Sequence, residues 1–153
     1  MTEPISHEAA MHLALDLARE AGEAGDVPVG AVLLDSENTV VAGDRNRREE
    51  LRDPTAHAEI IALRAAARTL GSWRLEGCSL VVTLEPCTMC AGAAVLARLD
   101  RIVYGAADLK AGAAWSLYNI PQDRRLNHRV DLIDGVMASQ ASDLLESFFV
   151  GKR

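Results

Sequence analysis

Two short stretches carry residue types that can do chemistry. The first, "TAHAEIIALR" (Thr55 to Arg64), sets His57 and Glu59 two apart at the start of an alanine-rich helix. Residues at i and i+2 do not face one another on a helix, so an ordinary amphipathic helix gains little from that pair. The second, "TLEPCTMC" (Thr83 to Cys90), puts Cys87 and Cys90 at i and i+3 on one face of a helix start, just after Pro86. The helix dipole favours thiolates there. His57 follows Asp53, Pro54 and Thr55, which supply cap residues and a proline for the other helix. One histidine and two cysteines from two helix starts suit a zinc ion with three protein ligands and one position open to water. Glu59 then has a task. Its side chain can reach over the helix start, take a proton from the activated water and deliver it to a substrate nitrogen.

These helix starts need a frame, and the order of elements supplies one. Ser6 to Ala24 is expected to be a helix, with Ser6 as N-cap and Met11, Ala14, Leu15 and Ala18 at helical spacing. "VPVGAVLLD" (Val27 to Asp35) and "TVVAGD" (Thr39 to Asp44) read as strands joined by the short link "SEN". An arginine-rich loop follows, then the helix of His57 and Glu59, ending near Leu70 and Gly71. "CSLVVTLE" (Cys78 to Glu85) is apolar and β-branched throughout, the pattern of a strand buried on both faces. A helix from Cys87 to Leu99, a strand "RIVYGA", a loop-like insert from Asp108 to His128, a weaker strand "RVDLIDGV" and a terminal helix from Ser139 complete the chain. Alternating strands and helices imply a mixed sheet covered by helices on both faces, with ligands at the strand ends.

The 153 residues suit one domain over the whole chain, 1–153. Aromatics are only 4%, so the core must be built from Ala, Val, Leu and Ile. No run approaches the roughly 18 apolar residues of a membrane span, and the N-terminus lacks a basic region followed by an apolar block, so a cytoplasmic protein is expected. Three cysteines, two of them in Cys-x-x-Cys, argue for a metal or redox site over a disulfide framework. A net charge of −6 gives no global attraction to nucleic acid, although it leaves room for a local basic patch.

His-x-Glu followed by Pro-Cys-x-x-Cys is the signature of the zinc deaminases. "VPVGAVLL", "DPTAHAEIIALR", "TLEPCTMCAGA", "VYGAADLKAGAAWSL" and "LNHRV" resemble, in order and spacing, the bacterial tRNA-specific adenosine deaminases, from about Val27 to Phe149. The resemblance implies a three-layer α/β/α, cytidine-deaminase-like fold around a five-stranded sheet. It implies conversion of adenosine to inosine at the wobble position of a tRNA anticodon, by a homodimer with one Zn2+ per chain and no organic cofactor. His57, Cys87 and Cys90 would be the ligands and Glu59 the proton shuttle. Asn46, in "DRNRR", matches an asparagine that contacts the flipped nucleotide. Asp108 and Lys110 match positions near the anticodon loop, and Val29 and Ala58 complete the implied substrate-binding set. The sequence departs from the family pattern at Trp115, where glycine is usual, at Arg48, where proline is usual, and in a short C-terminus.

Other readings stand beside these. Cys-x-x-Cys after a strand also fits a thioredoxin-like redox pair, but His-x-Glu on a second helix start favours the metal. Cys78 lies at the far end of its strand, on the order of 20 Å from Cys87, and reads as core filler. His7 and His12 are expected at the surface, and His128 in loop packing. Glu85 either orients the site or ties down a loop. Arg45, Arg47, Arg48 and Arg52 are interspersed with Glu49 and Glu50, so the segment is either a solvated loop or, beside Asn46, an RNA-facing one. Phe148 and Phe149 read as packing or dimer contacts, and Trp115 as buried filler or as a platform for a base. The competing functions are a deaminase of free bases or nucleosides, of guanine or cytosine type, and a catalytically silent zinc subunit that binds RNA. Glu59 argues against the silent subunit, because a structural metal site has no use for it.

Overall fold

The computed structural model describes residues 3–150. Helix α1 (His7–Glu23) begins where Ser6 predicts it, with the Ser6 hydroxyl accepting the Ala9 N–H at 3.0 Å. Its buried face comprises Ala10, Met11, Ala14, Leu15, Ala18 and Ala21. Strands β1 (Gly30–Leu34) and β2 (Val40–Arg45) pair antiparallel. A single turn, α2 (Arg48–Leu51), sits inside the segment expected to be loop. Helix α3 (Ala58–Leu70) ends at Gly71 in the left-handed conformation, φ +69°. Then come β3 (Ser79–Leu84), α4 (Thr88–Leu96), β4 (Arg101–Ala106), β5 (Asp131–Ile133) and α5 (Ala138–Val150).

The five strands form one sheet in the order β2-β1-β3-β4-β5. β1 runs antiparallel to both neighbours, while β3, β4 and β5 are parallel. Side chains alternate across it, as the period-2 geometry of strands requires. Ala31, Leu33, Leu80, Val82, Ile102 and Tyr104 pack on the α3 and α4 side. Val32, Leu34, Val81 and Val103 pack on the α1 and α5 side. The implied three-layer α/β/α fold is therefore present.

Several boundaries differ from the sequence expectation. Val27 to Val29 lie outside β1, where the Val29 N–H donates to the Val27 carbonyl at 2.8 Å in a tight turn. α4 stops at Leu96 rather than Leu99, where Arg98 turns left-handed at φ +63°. β5 holds only Asp131–Ile133 of the expected eight-residue run, and α5 begins at Ala138; its expected last residues, 151–153, lie outside the described part. One glycine is fixed by packing. A Cβ on Gly30 would stand 2.0 Å from the Ala14 carbonyl oxygen, so α1 approaches β1 only because Gly30 has none.

Candidate metal centre and cleft

α3 and α4 start side by side at one end of the sheet. His57 is the residue before α3 and Cys87 the residue before α4, both extended rather than helical. Cys90 follows in the first turn of α4. His57 Nδ1 lies 3.6 Å from Cys87 Sγ and 3.6 Å from Cys90 Sγ, and the three donor atoms all lie within 4.8 Å of one another. A tetrahedral zinc ion with Zn–N of about 2.0 Å and Zn–S of about 2.3 Å sets each N···S edge at roughly 3.5 Å. The donor set therefore fits zinc in both chemistry and spacing. Three donors beside an open cleft match a catalytic site rather than a closed structural one. Cys78 takes no part in the cluster. Burial pushes its thiol up to about 11, the behaviour of core filler.

The three groups shift one another's ionisation. A hydrogen bond from the Cys90 thiol, with the His57 imidazole beside it, pulls the Cys87 thiol down to about 3. His57 is raised by the same contact with Cys87. Glu59 is in the first turn of α3 and only 4% exposed, and burial raises its carboxyl. It lines a cleft of about 1040 Å³ together with His57 and Cys87.

The substrate-binding expectations fare unequally. Val29, Asn46, Asp108 and Lys110 line the cleft. Asn46 also supports the architecture: its Oδ1 accepts the Ala58 N–H at 2.9 Å and its Nδ2 donates to the Val27 carbonyl at 3.0 Å. Ala58 is buried at the start of α3, held by that bond, and does not line the cleft. Asp108 is turned on its own loop, its Oδ1 accepting the Lys110 and Ala111 N–H groups. Arg45 and Arg47 are engaged by Glu50 and Asp44. Trp115 is 70% exposed, which corrects the buried-filler alternative.

The sequence leaves one feature of the cleft unread and offers another only as an alternative. The cleft wall includes Leu145, Glu146, Phe149 and Val150 of α5, so Phe149 belongs to the cleft rim and not only to packing. Glu85 proves to be the organiser of the insert. Its carboxylate accepts the N–H groups of Asp108, Ala114, Trp115 and Ser116 and the Ser116 hydroxyl. Burial alone would raise its carboxyl, but the Ser116 hydroxyl and these amides hold it below the ordinary range. A Cβ on Gly112 would fall 2.4 Å from the Glu85 carboxyl carbon, so that position needs glycine.

Three metal-ligating side chains gathered from two helix starts at one end of an α/β/α sheet define a class. Residues 4–106 match the zinc-binding region of the cytidine and deoxycytidylate deaminases, and the chain belongs to that family. Within it, the chain is 44% identical to the tRNA-specific adenosine deaminase of Haemophilus influenzae, over 95% of this chain and 84% of the relative. Its fold superposes with a TM-score of 0.86, at 46% identity, on a solved structure from a study of A-to-I editing at the wobble position of transfer RNA; 90% of this chain and 99% of that one are covered. A guanine deaminase from Nitrosomonas europaea shares the fold with a TM-score of 0.80 at 25% identity, covering 97% of this chain and 87% of the other. The scaffold alone therefore does not select the base.

Proposed function

We propose that the protein is a hydrolytic, zinc-dependent deaminase that converts adenosine to inosine at the wobble position of a tRNA anticodon. The observation that carries the chemistry is a buried carboxyl, Glu59, in one cleft with His57 and Cys87. His57, Cys87 and Cys90 would hold one zinc ion per chain. When bound, zinc acts as a Lewis acid that lowers the pKa of water at the open position to about 7. Glu59 takes the proton and returns it to the leaving nitrogen; the C6–O bond forms, the C6–N bond breaks, and ammonia leaves. Asn46 holds the α3 start, and with it His57 and Glu59, against the Val27 strand entry.

Similarity to tRNA-specific deaminases over 95% of the chain supports the RNA substrate over a free base. Acting on tRNA, the protein works in the cytoplasm as a single domain. We also assign it a homodimeric state, supported by exposed Trp73 and Leu96 beside an apolar groove of about 320 Å³ between α3 and α4. Turnover of an anticodon stem-loop bearing adenosine at the wobble position, compared with free adenosine, adenine, guanine and cytosine, tests the proposal. Inosine should form in the stem-loop. Robust turnover of a free compound with none on the stem-loop overturns the tRNA reading and leaves the zinc chemistry.

A further inference from the structure

Among the described residues, one buried side-chain nitrogen or oxygen has no hydrogen-bond partner, and it is Nε of Arg48. That nitrogen is shielded against Asp26, whereas the side chain as a whole is 38% exposed, so it is the outer guanidinium nitrogens that are open to the cleft. Arg48 lines the cleft beside His57 and Glu59. Its Nε stands 3.6 Å from Oδ1 of Asp26, a carboxylate only 3% exposed. That carboxylate is already occupied, accepting the Val27 and Glu49 N–H groups at 2.9 and 3.0 Å. Asp26 thus sets the position of the guanidinium without saturating it. The neighbouring arginines differ. Arg45 is hydrogen-bonded to Glu50, and Arg47 to both Asp44 and Glu50.

The rest of the cleft makes the exposed part of this guanidinium more telling. Its lining carries four carboxyl groups, on Glu59, Glu85, Asp108 and Glu146, against two permanent cations, Arg48 and Lys110. An RNA strand entering there meets an acidic surround on a protein of net charge −6. In such a surround a phosphate is favoured where a cation has donors to spare. Guanidinium offers forked N–H donors matched to phosphate oxygens.

We propose that Arg48 is a specificity-determining residue that binds a phosphodiester oxygen of the RNA strand next to the target nucleotide. The inference rests on the tRNA-deaminase reading. Arg48 selects a nucleotide embedded in a strand over a free base or nucleoside, which lacks that phosphate. Arg47, one residue earlier, has no such part.

The test is fluorescence-anisotropy binding of an anticodon stem-loop to the zinc-loaded full chain, over a salt series, for wild type, Arg48→Ala, Arg48→Lys and Arg47→Ala. Arg48→Ala should weaken Kd about 5- to 10-fold and lower the salt slope by about 0.7, the loss of one single-strand phosphate contact. Arg48→Lys should recover part of the affinity, and Arg47→Ala should bind as wild type. A Kd unchanged in Arg48→Ala, or weakened equally in Arg47→Ala, overturns the contact. Wild-type turnover is read separately. Stem-loop turnover with an Arg48-independent Kd sinks only the contact. An Arg48-dependent Kd without turnover sinks the deaminase reading and keeps the contact.

Discussion

A two-residue offset gives His57 and Glu59 different work. His57 precedes α3 with its imidazole toward the two sulfurs, while Glu59 sits within the first turn and faces the cleft. The i, i+2 spacing that means little on a helix surface is therefore meaningful at a helix start, where one residue is still outside the helix. From this, Cys87→Ala should lose most of the roughly one zinc per chain by elemental analysis, since two donors rarely hold the ion alone. Zinc content equal to wild type would remove Cys87 from the ligand set. Glu59→Gln keeps volume and hydrogen bonding but cannot take a proton. Zinc should remain, and deamination should fall by at least about 10²-fold, the usual scale for loss of a general acid or base. A near wild-type rate in single-turnover assays would assign the proton transfer to another group.

Elements decide what those residues can reach, and here the sequence was only partly legible. Helical spacing and a serine cap located α1, and an unbroken apolar run located β3, because both signals are local. The insert after β4 read as loop, and it has no helix or strand up to β5. The sequence offers Glu85 as a group that could tie down a loop but does not say which loop, because its bonds span 23 to 31 residues and leave no periodic trace. Asn46 has a second task that the sequence does not show: besides lining the cleft, it holds the start of α3 through the Ala58 N–H, a contact between residues twelve apart. The α5 wall of the cleft was equally invisible, since its residues meet the site only through packing. Glu85→Gln replaces a charged acceptor with an amide facing four N–H groups, one of its own donors now opposed to them. It should destabilise the fold by about 2–4 kcal/mol, as expected for a buried charged hydrogen-bond centre. Denaturant unfolding measures this, and hydrogen exchange should show faster exchange confined first to residues 108–116. Wild-type stability and exchange would show that the insert holds itself.

At the scale of the whole molecule the charge runs against the substrate. The chain is acidic, at −6, and two of the arginines that the sequence offered to RNA are spent on Asp44 and Glu50. Among the described residues, Arg52, Lys110 and Arg124 form no ion pair, and Arg48 is held by Asp26 without a hydrogen bond. RNA binding must then rest on few phosphate contacts and on shape. For single-stranded contacts each neutralised phosphate contributes about −0.7 to the slope of log K against log salt, so two to four contacts give a slope of about −1.4 to −2.8. Binding of the stem-loop, measured by anisotropy between low and near-physiological salt, should show that shallow dependence. A slope near zero would mean that no phosphate is bound and would favour a free-base substrate. A slope several times steeper would mean that further basic groups contact the RNA, and the same titration across protein concentration would show whether self-association supplies them, because the slope would then rise with concentration.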